Sequence, residues 1–158
     1  MKQITLTVTE NARLADGIYR LRLAGDTSAI TAPGQFVNLK LSGFFLRRPI
    51  SVCDWENGEV TLIYKVLGHG TEAMTGMAVG TELDVLTGLG NGFDLSRSGE
   101  HPLLVGGGVG IPPLYGLARR LTAQGKRVTA VLGFNRKSEI FLAEEFRALG
   151  AEVVIATA

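Results

Sequence analysis

A glycine-rich turn constrains the fold of this chain more than any other sequence feature. The segment from Leu103 to Leu114 reads Leu-Leu-Val-Gly-Gly-Gly-Val-Gly-Ile-Pro-Pro-Leu, an apolar run, a flexible turn and a helix start. Pro112 fits the first helical turn because its missing N–H would have no partner there. Gly108 and Gly110 let the backbone approach a pyrophosphate, whose charge the free N–H groups at the helix start favour. The segment predicts a nucleotide site, with a tight turn that binds nothing as the alternative.

The residues around this turn predict alternating strands and helices. A strand at 103–105 is followed by a helix from Pro112 to Ala123, a strand at 127–132, a helix capped by Ser138 and a strand at 153–156. This βαβαβ order is one half of a doubly wound, Rossmann-like α/β domain. A sheet that stopped at Ala158 would leave strands and helix faces uncovered, so we expect the domain to be incomplete. The alternative is a small flavodoxin-like lobe covered by the preceding domain.

The first part of the chain follows a different pattern. Short alternating runs separated by turn residues fill residues 3–96 and are typical of an antiparallel barrel or sandwich. The predicted strands are 4–9, 18–23, 35–41, 49–54, 59–66 and 82–86, and the predicted helix runs from Thr71 to just before Gly80. A polar stretch at 96–102 separates the two patterns. We therefore predict two domains, residues 1–98 and residues 99–158.

Charge and cysteine content exclude several functions. Sixteen basic and fifteen acidic side chains give a net charge of +1, so we expect neither a nucleic-acid nor a membrane partner. The single cysteine, Cys53, cannot form an intramolecular disulfide or a site of several thiolates, so we expect no metal site. No apolar run suits a signal peptide or a membrane span, which favours the cytoplasm.

Two segments of the first part combine residues suited to an anionic ligand. In Arg48-Pro49-Ile50-Ser51 the guanidinium can bind phosphate oxygens as a fork and the hydroxyl can meet a heteroaromatic ring. The alternative is an edge strand with solvated arginines. Gly70 and Thr71 open the predicted helix as a second anion site, or as a plain cap. On the preceding strand, Tyr64 can stack and Lys65 can supply charge, or both can be core and surface residues.

The segment after the second strand of the α/β half leaves the nicotinamide preference open. Asn135, Arg136 and Lys137 occupy the place where the dinucleotide fingerprint has an acidic residue. Asn135 can bond ribose hydroxyls, and the two cations can meet a 2′-phosphate or lie in a solvated loop. NAD and NADP are therefore not distinguished.

Several motifs occur here in the order typical of one family. They are Arg48-Pro49-Ile50-Ser51, Gly70-Thr71, residues 88–93, residues 106–114, residues 132–135 and residues 140–142. The chain resembles the electron-transfer subunits of the NAD-linked dihydroorotate dehydrogenases, a branch of the ferredoxin-NADP reductase superfamily. The resemblance runs from about residue 3 to the last residue.

This resemblance implies a six-stranded flavin-binding β-barrel followed by a nucleotide-binding domain, with FAD between them. It assigns the flavin phosphates and ring edge to Arg48, Pro49, Ile50 and Ser51, and the ribityl and adenylate arm to Ile63, Tyr64 and Lys65. Gly70 and Thr71 would hold the pyrophosphate, and Ser51 would lie nearest the reactive flavin edge. NAD(H) would bind along Gly106, Gly107, Gly108, Val109, Gly110 and Pro112.

The resemblance also implies a partner. Electrons would pass from NADH through FAD and a [2Fe-2S] cluster to the FMN of a dihydroorotate dehydrogenase catalytic subunit, in a heterotetramer. The family's cysteine cluster and the second half of its nucleotide domain are absent from this sequence, so we expect the cluster only in a further C-terminal part. Thr87-Gly88-Leu89 stands where the family usually has Gly-Pro-Leu. The alternatives are a reductase-like subunit of a hydrogenase or transhydrogenase, and a flavin-binding module without turnover.

Overall fold

Six strands of the chain close into an antiparallel barrel. The computed structural model describes residues 1–158. The strands are β1 (Lys2–Ala15), β2 (Ile18–Ala24), β3 (Phe36–Leu39), β4 (Arg48–Glu56), β5 (Glu59–Lys65) and β6 (Glu82–Leu89). They are joined in the order β1-β2-β5-β4-β3-β6. The prediction of a six-stranded antiparallel barrel is confirmed.

Alternation along the strands separates the barrel core from the outer face. On β5 the side chains of Val60, Leu62 and Tyr64 belong to the barrel core, whereas Ile63 belongs to a second cluster outside it. A short helix, α1 (His69–Met74), covers one end of the barrel, with Met74 fully buried. Asn11 fixes the end of α1, because its side-chain amide donates to the carbonyl of Met74 at 2.8 Å.

A bulge in β4 interrupts this alternation. Val52 pairs with Leu62, but the next registered pair is Asp54 with Thr61. The extra residue is Cys53, and a bulge of this kind re-aims the side chains next to it. Cys53 and Asp54 therefore both face out of the barrel, towards the second domain.

The second domain is a parallel sheet with two helices. Its strands are β7 (Leu103–Gly107), β8 (Thr129–Phe134) and β9 (Glu152–Thr157), in the order β7-β8-β9. The helix α2 (Pro112–Ala123) follows the glycine turn, and α3 (Ala143–Ala148) precedes β9. The βαβαβ order is therefore confirmed. No helix has the length and apolar character needed to cross a membrane.

Several predicted boundaries are wrong. β1 continues to Ala15 because bulges near Val8 and Arg13 let one long strand pair with both β2 and β6. α1 ends at Met74, well before Gly80. Ser138 does not cap α3: it lies in a 3-10 turn, and the helix starts after Leu142, whose φ is +63°.

One face of the parallel sheet is open. The register places Val105 beside Val131 and Val131 beside Val154. Val105 is 67% exposed and Val154 is 45% exposed, whereas the neighbouring Leu104 and Leu132 are buried under the helices. The helices thus cover only one side of this sheet.

The two domains share a hydrophobic core. Ile18, Cys53 and Ile63 of the barrel belong to the same buried cluster as the apolar faces of α2 and α3. α2 packs directly on β4 at Gly116, where an added Cβ would lie 2.8 Å from the Cys53 carbonyl oxygen. Only glycine allows this approach of helix to strand.

Replacing Gly116 with valine is expected to destabilise the protein. The new side chain meets backbone, which cannot move aside as a flexible side chain can, so overpacking should cost about 1–3 kcal/mol in the free energy of unfolding. Urea unfolding measures this. The control is Gly99→Val, where an added Cβ meets nothing within 4 Å; equal stability of the two variants would contradict the packing described here.

Candidate functional site

A cleft lies between the outer face of the barrel and the glycine turn of the second domain. It contains a cavity of about 260 Å³ beside the start of β4 and one of about 590 Å³ beside the glycine turn. Lys65, Leu67 and Val109 line both cavities. The two motifs that the sequence singled out therefore meet in one continuous cleft.

The smaller cavity contains most of the residues predicted for the first ligand. Its lining residues are Arg48, Pro49, Ile50, Ser51, Ile63, Tyr64, Lys65, Leu67, Thr71 and Val109. Ile50 packs partly against the barrel core. The Ser51 hydroxyl has no hydrogen-bond partner in the protein, so both its donor and its acceptor capacity remain for a ligand.

The two adjacent arginines have different roles. Arg47 forms an ion pair with Asp84 at 3.0 Å and also donates to the Asn38 and Asp84 carbonyls. Arg48 has no carboxylate partner; its guanidinium donates to the Leu46 carbonyl at 2.5 Å and lies over the Phe44 ring, 5.1 Å from its centroid. Of the two arginines, Arg48 is therefore the one available to an anionic ligand.

Arg48 reaches the start of α1. Its guanidinium lies against Gly70, where any Cβ would collide with it. The backbone N–H groups of Gly70 and Thr71 have no acceptor in the protein. The Thr71 hydroxyl is already used, since it accepts from the Leu67 N–H at 2.8 Å and donates to the Gly68 carbonyl at 3.2 Å. A cation and two free N–H groups thus converge, and Thr71 contributes its backbone.

Tyr64 is not exposed for stacking on a ligand. The residue is 1% exposed, and its hydroxyl donates to Asn11 Oδ1 at 3.0 Å. Its ring stacks on Tyr19, with centroids 5.6 Å apart. Burial raises the pKa of Tyr64 to about 12. Of the two alternatives for Tyr64, the structure therefore shows the core residue, because strand alternation turns its ring into the barrel, and Lys65 lines the cleft.

The glycine turn provides open backbone at the second cavity. Gly108 has φ +51°, a conformation that favours glycine, and no atom lies within 4 Å of a Cβ added at Gly108 or Gly110. Gly106 has a different function, because a Cβ there would lie 2.7 Å from Leu114 Cδ1. Gly108 and Gly110 leave room for a ligand, whereas Gly106 allows α2 to pack on β7.

The second cavity also has lining residues that the sequence did not single out. These are Glu139, Thr157 and the exposed Leu67, whereas Asn135 and Phe141, which also line the cavity, belong to segments that the sequence did single out. The sequence carries no signal for Glu139, Leu67 and Thr157, since their meeting at one cavity depends on the packing of the two domains. Arg136 and Lys137 are exposed and form no ion pair with any carboxylate.

Cys53 is a packing residue. It is buried between the barrel and α2, and desolvation, with a smaller contribution from Asp54, raises the pKa of its thiol. A thiol held neutral is a poor metal ligand. No three His, Cys, Asp or Glu side chains come together in a way that could hold a metal ion.

Another groove of about 590 Å³ lies on the barrel between residues 40–44, the end of α1 and the start of β6. It contains none of the predicted ligand residues. Its volume matches that of the second cavity, so volume alone does not identify the functional site.

Comparison with solved structures defines the class. One match is an NADH-dependent reduced ferredoxin-NADP oxidoreductase studied for flavin-based electron bifurcation, with a TM-score of 0.86 and 29% identity over 96% of this chain and 56% of that one. The closed barrel with a parallel three-stranded sheet is that of the ferredoxin reductase-like proteins.

Sequence relatives make the assignment more specific. The chain is 46% identical to the dihydroorotate dehydrogenase B (NAD(+)) electron transfer subunit of Bacillus pumilus, over 99% of this chain and 64% of that protein. It is 45% identical to the same subunit of Shouchella clausii, over 99% and 63%. No protein-family model matches. The resemblance inferred from the motifs is thus confirmed, and the chain spans just under two thirds of these relatives' length.

Tyr64→Phe tests whether Tyr64 acts in the core or in the cleft. Loss of the hydroxyl leaves Asn11 Oδ1 without its donor and is expected to lower the free energy of unfolding by about 1–2 kcal/mol. Affinity for a ligand in the cleft should stay within about twofold of the wild-type value, because the hydroxyl that is removed bonds Asn11 and the ring itself is kept. A large loss of ligand affinity with unchanged stability would contradict this placement.

Tyr64→Phe also tests how the titration of Tyr64 changes the stability of the folded protein with pH. The folded protein favours the neutral Tyr64 phenol, since the pKa is raised from 10.0 to about 12. This contribution to stability is present below pH 10 and is lost as the pH rises from about 10 towards 12. Phenylalanine does not titrate, so the stability difference between wild type and Tyr64→Phe should narrow over that range in urea titrations.

Proposed function

We propose that this chain binds FAD in the cleft and NAD(H) at the glycine turn, as part of an electron-transfer subunit of a dihydroorotate dehydrogenase. The observation that carries the proposal is the convergence of an unpaired Arg48, two free N–H groups and an open glycine turn on one continuous cleft. The relatives at 45–46% identity, which are named as such subunits, support it.

The residues of the smaller cavity fit a flavin dinucleotide. Arg48 and the N–H groups of Gly70 and Thr71 suit its phosphates, because charge-assisted bonds to anions are the stronger ones. Pro49, Ile50, Ile63 and Lys65 line the space beside them. The Ser51 hydroxyl would orient the polar ring edge by a hydrogen bond, so we assign Ser51 to the reactive edge.

The glycine turn fits the nicotinamide dinucleotide. Gly106, Gly107, Gly108, Val109, Gly110 and Pro112 form or follow the turn between β7 and α2. Val109 lines both cavities, so a ligand at this turn would lie against the flavin. The preference for NAD is inferred from the relatives' name.

FAD would supply hydride acceptance from NADH and release of single electrons. The protein would position the two cofactors next to each other, and the cofactors themselves would carry out the electron transfer. The described residues do not fit a [2Fe-2S] cluster, since Cys53 is the single thiol and is buried. The proposal therefore places the cluster in a further part of the protein, and the FMN acceptor in a catalytic partner subunit forming a heterotetramer with it in the cytoplasm.

The test of this proposal uses the full-length chain together with the catalytic subunit. Dihydroorotate-dependent reduction of NAD⁺ by the mixture, and not by the catalytic subunit alone, is the expected result. Bound FAD without that activity would favour a different redox partner, such as the ferredoxin-linked one of the structural match.

Arg48→Ala is expected to weaken FAD binding. Loss of a charge-assisted contact to phosphate costs about 1.5–3 kcal/mol, or about 10- to 150-fold in the dissociation constant. Arg47→Ala is the matched control: it breaks the Asp84 pair and should lower stability with a smaller effect on FAD. Flavin content and unfolding curves of both purified variants measure this, and unchanged FAD retention in Arg48→Ala would refute the assignment.

Gly110→Val separates the two sites. The position has open space and no left-handed φ, so valine adds bulk at the nucleotide site without backbone strain. NADH oxidation should fall by about tenfold or more while FAD stays bound, because the side chain blocks approach of the pyrophosphate. Anaerobic flavin reduction by NADH measures the effect. Loss of FAD and NADH binding together would argue against a separate nucleotide site.

A further inference from the structure

An ionic cluster joins the two domains away from the cleft. We call it the interdomain clamp, consisting of Asp54, Trp55 and Glu56 on β4 with Arg119 and Arg120 on α2. Asp54 Oδ1 lies 2.9 Å from Arg119 Nη2 and 3.6 Å from Arg120 Nη1. The first contact is an ion pair by distance, without the angles of a hydrogen bond.

The arginines make further contacts in defined directions. Arg119 Nη2 donates to the Trp55 carbonyl at 3.2 Å, and its Nη1 lies 3.5 Å from Glu56 Oε2. The Arg120 guanidinium lies 3.7 Å from the centroid of the Trp55 ring and donates to the Gly116 carbonyl at 3.1 Å. Hydrophobic burial has no preferred direction, whereas planar guanidinium groups do. The clamp therefore defines the angle of α2 on β4.

The clamp is partly shielded from water at Asp54 and the two arginines, whereas Glu56 is 65% exposed. The Asp54 side chain is 18% exposed, and those of Arg119 and Arg120 are 29% and 26% exposed. Desolvation offsets much of the attraction in a partly buried ion pair, so the clamp acts through its directional contacts and not through its net stability. The bulge at Cys53 turns the Asp54 side chain out of the barrel, where it meets Arg119 and Arg120 of α2.

Each half of the clamp is rigidly connected to one binding motif. Ser51 precedes Asp54 by three residues on the same strand, which is about 10 Å. Arg120 lies ten residues beyond Gly110 along the helical turn, which is about 15 Å. A tilt of α2 by about 5° at the clamp would thus move the glycine turn by about 1 Å. A displacement of about 1 Å can cost about 100-fold in rate when two reactants must meet.

We propose that Asp54 and Arg120 are positioning residues, which set the angle between the glycine turn and the flavin cleft and thereby the approach of nicotinamide to flavin. They touch neither ligand. This inference rests on the proposed function, since it requires both cofactors to bind in the cleft.

The experiment uses the flavin-loaded, full-length protein with Asp54→Asn, which keeps the shape and removes the charge. FAD content and NADH affinity should remain within about twofold of wild type, whereas the rate of anaerobic flavin reduction should fall by about tenfold or more. The long-wavelength absorbance of the nicotinamide–flavin complex should weaken as well. A merely structural role would not change rate and absorbance while both affinities are kept.

Arg120→Met is the second variant, and Glu144→Gln is the control. Arg120→Met removes the stack on Trp55, and Glu144→Gln removes an exposed ion pair with Arg147 on α3, away from the interface. Reduction rates within about twofold of wild type in both clamp variants would overturn the inference. So would loss of FAD or NADH binding in both, which would indicate a structural role. If the proposed function itself fails, the wild-type protein will show no bound flavin or no reduction by NADH.

Discussion

The contact of α2 with β4 at backbone distance is the constraint on which the rest of the structure depends. Gly116 lets the helix lie directly on the Cys53 carbonyl, and the shared core of both domains forms around this contact. β4 begins with Arg48-Pro49-Ile50-Ser51, and α2 begins at the glycine turn. Their contact therefore determines that the two motifs face each other across one cleft. A looser contact would leave two separate half-sites.

Residues of the same type have different roles around the cleft, because some are used within the protein and others are free. Arg47 and Arg48 are neighbours in sequence, yet one neutralises Asp84 and the other is left for a ligand. In the same way Gly106 allows α2 to pack on β7, whereas Gly108 and Gly110 leave space for a ligand beside the backbone. Polar groups without protein partners are costly unless a ligand or water satisfies them. The free groups at Arg48, Gly70, Thr71 and Ser51 are therefore the ones that we assign to the proposed ligand.

Periodicity and turn residues predicted the barrel, the βαβαβ order and the full extent of α2, because these depend on local patterns. The early end of α1 and the start of α3 after Leu142 were missed, since tertiary packing decides them. The motif residues of the cleft could be found from the sequence, but the choice between a stacking and a core position for Tyr64 needed the structure. Its position on β5 relative to the barrel interior depends on the register with β2, where it pairs with Tyr19.

The buried position of Cys53 has a practical consequence. The chain has one thiol, it lies in the seam between the two domains, and its surroundings disfavour the reactive thiolate. Alkylating reagents can reach it only when α2 separates from β4 or the protein unfolds. The rate at which Cys53 itself is labelled thus reports how often the seam opens, and it requires no engineered probe.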